Sequence, residues 1–291
     1  MDNHFERFIR ERIYEKNITK KTEEAHRQAY TSFRKTCQLE SVQELDKAAI
    51  IDWLEALHKT SIRPTSINCY ARSLNAFFRW LMENGYITEK LKIKKLATPI
   101  EVVKTLPEEN LKALLSYKPT FFGEKRVQAI VLTLLDTGIR INEAFGLKTG
   151  DLDLDNERFK IYGKGRKERI VPFSPELRRI LMRFLDSKEL SKLPNDRYVF
   201  CTRMGRKLLY DNLRKDYANL CSSLGIKKMG GFHRLRHTFA TNFLKGGGNV
   251  LFLKNILGHT ELRTTQIYVH PDSDDLKEAH SRSSIFAKFK K

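Results

Sequence analysis

Through about the first ninety positions the apolar residues recur three and four apart and never alternate, which restricts this stretch to helices that share one buried face. From about Asn3 to Glu15 the stripe is Phe5, Phe8, Ile9 and Ile13, and a second helix is expected from about Lys20 to Gln38. Ser41 followed by Glu44 has the spacing of a capping box, which predicts a third helix carrying Leu45, Ile50, Ile51, Trp53 and Leu54. Pro64 opens a fourth, with Ile67, Tyr70, Leu74, Phe77 and Leu81 on one stripe and Asn84 and Gly85 as its stop. The result is a small helical bundle. Its polar residues are mostly Lys, Arg, Glu, Asn and Ser on outer faces, so it is expected to grip a partner rather than to react.

The 291 residues exceed what one compact core usually holds, so a second domain is expected. The basic, proline-containing stretch from about residue 91 to 105 lacks periodicity and reads as a linker, which gives domains 1–90 and 106–291. Leu106, Pro107 and Glu108 begin another helix, with proline near the first helical position. Between about Asp151 and Phe173, FKIYGKGRKERIVPF reads as two strands around a tight glycine-containing turn. Helical patterns then resume, with Gly246, Gly247 and Gly248 ending one helix and starting another. The expected class is mainly α with a small antiparallel β-sheet.

Charge narrows the function. With 54 Lys and Arg against 35 Asp and Glu, the net charge of +19 calls for a polyanionic partner. Cys37, Cys69, Cys201 and Cys221 are scattered, with none of the close pairs that zinc ribbons or redox motifs use. The charged start lacks the apolar core of a signal peptide, and no stretch approaches the ~20 apolar residues of a membrane span. A cytoplasmic protein with no membrane partner is the expectation.

Four segments of the second domain carry possible chemistry. In TGIRINEAFGL, Arg140 stands three residues before Glu143, a spacing that makes an ion pair on a helix; read alone, it is an ordinary surface pair. Lys164 sits between Gly163 and Gly165 in the hairpin turn, beside Arg166, Lys167 and Arg169. In GFHRLRHTFAT, His233 and Arg236 face the same way, and His237, four after His233, raises a zinc pair. Zinc is disfavoured because HRLRH lacks the glutamate of a zinc protease and the arginines repel a dication. In NILGHTELRTTQIYVH, Gly258 closes a helix, His259 follows in the turn, and Tyr268 comes nine residues later.

As a set these residues make a phosphate clamp with a nucleophile. Guanidinium forks suit the charge that grows on a phosphodiester under attack, a role that fits Arg140 and Arg236. Lys164 fits the role of general acid for the departing 5′ oxygen. A tyrosine with an unperturbed pKa of about 10 needs help to lose its proton, which His233 could accept directly or through water. His259 would hydrogen-bond a non-bridging oxygen. No cofactor or metal is expected, and GKGRK lacks the spacing of a phosphate-binding P-loop.

TGIRINEAFGL, YGKGRKERIVPF, HRLRHTFAT and LGHTELRTTQIYVH resemble, in order and approximate spacing, the tyrosine recombinase or phage-integrase family, most closely its bacterial Xer-type members. The resemblance implies a helical, SAM-like core-binding domain and a catalytic domain that close around double-stranded DNA. It implies a pocket of Arg140, Lys164, His233, Arg236 and His259, with Tyr268 as nucleophile and Glu143 in support. It further implies a homotetramer, or a heterotetramer with a related recombinase, exchanging strands between paired sites through a Holliday junction in the bacterial nucleoid. The tail with Leu276, Ile285 and Phe286 would dock on a neighbouring subunit or on its own chain. The triple glycine is looser than this family pattern. A DNA-binding protein that does not cut, and a topoisomerase-like enzyme needing no site pair, are the alternatives.

Overall fold

The computed structural model describes residues 1–98, 104–163, 168–226 and 230–268. The chain divides into two compact units, Met1–Glu101 and Val102–Lys291. Among the described residues, no helix is long and apolar enough to cross a membrane.

The N-terminal unit is the expected bundle: α1 (Asp2–Tyr14), α2 (Lys20–Thr36), α3 (Lys47–His58) and α4 (Pro64–Glu83). Its core is aromatic. Phe5, Phe8, Phe33, Trp53, Phe77, Phe78 and Trp80 are buried, and Phe5 stacks on Tyr30 at a ring separation of 3.8 Å while meeting Phe77 edge-on. One boundary differs from expectation. Ser41 and Glu44 do form a capping box, but on a single 3₁₀ turn, Val42–Glu44; α3 begins afterwards, with Asp46 accepting from the Ala49 N–H. Leu45 is therefore buried in the intervening turn, and Ile51 faces solvent because the helical phase set by Asp46 turns Ile50 and Trp53 inward instead.

The linker reading also needs correction. Residues 91–96 belong to this unit: Leu91 and Ile93 are buried, while Lys92, Lys94 and Lys95 are exposed, along a segment outside the regular helices and strands. The segment is held by two asparagines of α4 acting as surrogate backbone. Asn75 donates to the Ile93 carbonyl at 2.9 Å and accepts its N–H at 2.8 Å, and Asn68 does the same for Leu96 at 3.0 and 2.8 Å. The spacings match, since seven helical residues rise about 10.5 Å and three extended residues about 10 Å. At the other end, the Leu106 N–H donates to Thr238 Oγ1 and Arg234 donates to the Thr105 carbonyl, so these residues are anchored on the C-terminal unit.

In the C-terminal unit α5 (Glu108–Ser116) leads to α6 (Phe122–Thr137), which is apolar nearly all round and runs through the core, packing against α8 (Pro175–Leu185), α9 (Tyr210–Ser223) and α10 (Phe232–Lys245). A short α7 (Ile141–Gly146) follows, then the sheet: β1 (Leu152–Asp153), β2 (Arg158–Tyr162) and β3 (Glu168–Pro172), antiparallel in sequence order. Phe159 pairs with Val171 and Ile161 with Arg169, which places all four on the core-facing side. The hairpin turn with Lys164 and Lys167, and the tail with Leu276, Ile285 and Phe286, lie outside the described residues. The triple glycine is not loose: Gly248 N–H bonds the Phe243 carbonyl, and Asn249 then caps α11 (Val250–Leu257). The last described helix is α12 (Arg263–Gln266).

Candidate active site

The site is assembled on the C-terminal end of α11. A helix leaves its last four carbonyls without partners inside the helix, and here each is accounted for. Gly258 takes a left-handed conformation (φ 64°), and the backbone N–H groups of Gly258 and His259 cover the Asn255 and Lys254 carbonyls. Arginines cover the other two. Arg169 Nε donates to Ile256 O at 2.8 Å; Arg236 and Arg140 both donate to Leu257 O, at 2.8 and 3.2 Å. The negative end of the helix dipole thus gathers three guanidinium groups from β3, α10 and the start of α7.

Two glycines permit this. A Cβ on Gly258 would press on the Arg169 guanidinium at 3.0 Å, and one on Gly138 would collide with Phe239 at 2.3 Å. Gly138 also has positive φ (63°), and its carbonyl accepts from Arg236 at 2.6 Å.

Arg140 and Glu143 meet as their spacing predicts, at 3.0 Å, but not as a surface pair: the Glu143 side chain is only 9 % exposed. Arg169 forks onto both Glu143 oxygens at 2.9 and 2.8 Å, and the Arg140 N–H donates to the same carboxylate at 2.7 Å. Burial pushes the Glu143 carboxyl up, but Arg169 and Arg140 together hold it below the usual carboxylate range. Three guanidinium groups against this one carboxylate leave an excess of positive charge. Arg236, 5 % exposed, is lowered by burial and by Arg140 to about 10 and remains cationic at neutral pH.

The tautomer of His259 follows from its neighbours. Arg236 can only donate, so His259 Nε2, 2.9 Å away, is an acceptor, and the ring proton lies on Nδ1, bonded at 2.9 Å to the buried Thr265 Oγ1. Burial, then the charges of Arg236, Arg140 and Arg169, lower His259 to about 4, so it is neutral at pH 7.

Tyr268 is 7 % exposed among Ala240, Leu253 and Leu257. Burial raises its phenol, and the charge of Arg236 opposes that rise. Its hydroxyl lies 2.8 Å from Nδ1 of His237. The two histidines of HRLRH therefore part company: His237 turns to Tyr268, and His233 sits exposed in the first turn of α10.

The structure brings together Arg140, Arg236, His259 and Tyr268, and His233 stands at the exposed start of α10. Lys164 lies outside the described residues. Sequence reasoning gave neither Arg169 nor His237 a place in this site: Arg169 was only a neighbour of Lys164, and His237 only half of a disfavoured zinc pair. For Arg169 a signal existed: it stands two before the buried Val171, on the inward-facing phase of β3, where alternation calls for an apolar residue.

A helical N-terminal unit followed by a unit that gathers arginines, histidines and a tyrosine around a helix end is the architecture of enzymes that cut and rejoin DNA strands through a tyrosine. Comparison with known proteins agrees. Residues 104–274 match the phage integrase family and residues 5–96 its N-terminal SAM-like domain. The chain belongs to the phage integrase family and is a tyrosine recombinase. It is 29% identical over 294 residues to tyrosine recombinase XerD of Listeria monocytogenes, covering 97% of this chain and 98% of that one. It is likewise 29% identical over 226 residues to tyrosine recombinase XerC of Thermodesulfovibrio yellowstonii, 74% of each chain. The crystal structure of XerA recombinase superposes with a TM-score of 0.53 at 26% identity, covering 97% and 98% of the two chains. The Tn1549 transposon integrase in complex with transposon right end DNA, at 18% identity, shares the fold with a TM-score of 0.78 over 96% of this chain and 99% of that one.

Proposed function

We propose that this enzyme is a site-specific recombinase in which Tyr268 attacks a DNA backbone phosphate, forming a 3′-phosphotyrosyl link and releasing a 5′ hydroxyl. Arg140 and Arg236 hold the non-bridging oxygens, where negative charge grows in the transition state. His233 joins them from the first turn of α10. His259 meets the phosphate through Nε2, which requires that nitrogen to gain a proton; an arriving anion favours the imidazolium and promotes that change. Lys164, with Lys167 as the alternative, protonates the leaving oxygen. The covalent link conserves the phosphodiester bond, so rejoining needs no nucleotide hydrolysis.

The observation that carries this reading is the joint anchoring of Arg140 and Arg236 on Leu257 O, with His259 on Arg236 and a buried tyrosine beside them. On double-stranded DNA carrying paired sites, a tetramer of this chain, or of this chain with a related recombinase, exchanges strands through a Holliday junction. The outcome is integration and excision of a mobile element or resolution of chromosome or plasmid multimers. A relative, XerH, has been seen bound to its difH substrate in pre-cleavage and post-cleavage complexes, which supports DNA as the substrate.

The test is to incubate the protein with nicked DNA carrying a candidate site, denature it, and map any covalent adduct. An adduct on Tyr268 that is lost in Tyr268→Phe, with DNA binding kept, is expected. Cleavage retained by Tyr268→Phe would overturn the nucleophile assignment, and binding without any adduct on the cognate site would favour a DNA-binding protein that does not cut.

A further inference from the structure

We propose that His237 is the group that takes the phenolic proton of Tyr268 as the tyrosine attacks; this rests on Tyr268 being the nucleophile. The i,i+4 relation of His233 and His237 puts both on neighbouring turns of one helix face, so spacing alone does not choose between them. The tertiary structure does. His237 Nδ1 lies 2.8 Å from the Tyr268 hydroxyl, the reach of a proton transfer, with the two rings tilted at 50° and their centroids 5.5 Å apart. His233 has its ring in the exposed first turn.

The surroundings suit a base. A phenol 7 % exposed has little access to solvent hydroxide, so a protein group must receive its proton. The charged and titratable groups facing His237 are His233 and Arg236 on its own helix and Tyr268 from beyond α12. Burial first, then His233 and Arg236, hold its imidazole below the ordinary histidine range, which keeps it neutral at pH 7. With its ring proton on Nε2, Nδ1 accepts the phenol O–H.

The step balances as follows. The Tyr268 Oη–P bond forms as Oη–H breaks, and the proton passes to His237 Nδ1. The P–O5′ bond breaks, and O5′ receives a proton from the cationic acid assigned above to Lys164. Rejoining reverses each transfer: the 5′ hydroxyl attacks phosphorus, and the departing phenolate recovers its proton from the His237 imidazolium. The positive charge created on His237 is transient and sits next to the anionic phosphorane-like centre, which stabilises it.

The experiment is single-turnover cleavage of nicked site DNA at saturating full-length protein, from about pH 5 to 9, for wild type, His237→Gln, His237→Asn and Tyr268→Phe. Wild-type cleavage should rise with pH as His237 loses its proton, to a plateau that ends at higher pH where the His259 imidazolium is lost. His237→Gln keeps a hydrogen-bond acceptor but has no base. It should retain DNA affinity, lose about 10²-fold at the plateau, and lose the low-pH inflection. His237→Asn supplies the same reading if the glutamine variant does not fold. Wild-type plateau and inflection in the folded variant, with Tyr268→Phe inactive, would overturn the role of His237 alone, as would a loss confined to DNA affinity. Adduct formation by Tyr268→Phe would instead overturn the underlying nucleophile assignment.

Discussion

The two units treat charge in opposite ways. In the N-terminal unit the core is aromatic and one set of cations stays outside: Arg72, Arg79, Lys90, Lys92, Lys94 and Lys95 line an exposed ledge between α4 and the docked segment 91–96. In the C-terminal unit three guanidinium groups converge on a helix end, one of them 5 % exposed and another forked onto a carboxylate that is itself 9 % exposed. A surface that grips a polyanion can leave its charges in water, where a partner of variable shape displaces counterions. A site that stabilises charge in a transition state must hold its donors fixed and partly desolvated, and that is costly unless each buried polar group has a partner. The α11 carbonyls and Glu143 are those partners.

The sharpest way to break this contrast is Arg236→Lys. It keeps the charge but removes the fork that spans Gly138 O, Leu257 O and His259, so cleavage should fall on the order of 10²–10³-fold with binding little changed, read by single-turnover adduct formation. Near-normal cleavage would show that a point charge suffices there.

Next in size is Arg169→Ala, which leaves the buried Glu143 carboxylate without its bidentate partner. The C-terminal unit should lose about 3–5 kcal/mol, and hydrogen exchange should show the N-terminal unit unaffected. Equal loss of protection in both would mean that the two units unfold together and that the contrast is not one of independent parts.

The smallest effect is expected at the ledge. Arg72→Ala should weaken DNA binding about equally across sequences and reduce the slope of log affinity against log salt by about 0.9, measured by titration at several salt concentrations. An unchanged slope would take Arg72 out of phosphate contact.

Much was legible in the chain itself. The helical stripes ending in Phe77 and Leu81, the β2–β3 hairpin, and the Arg140, Arg236, His259 and Tyr268 positions all depend on local periodicity or on short motifs with a chemical logic. Local signals misled where a nearby feature competed: Ser41 and Glu44 do form a cap, yet on one 3₁₀ turn, because Asp46 offers a second cap three residues before Ala49. The lysine-rich stretch passed for linker because the asparagines of α4 that hold its backbone, Asn68 and Asn75, stand 28 and 18 residues away from Leu96 and Ile93.

By itself, then, the sequence determined most of the helices and the two long strands, that the chain is a cationic binder of a polyanion, and which residue types supply the reaction. The tertiary structure decided which histidine faces Tyr268, which nitrogen of His259 carries the proton, and that Arg169 braces Glu143. Helix and hairpin patterns arise from residues close together in the chain, and the order of the sequence records that spacing. Hydrogen bonds to the carbonyls at the end of α11 join residues from four separate elements, and a backbone carbonyl looks the same in every sequence.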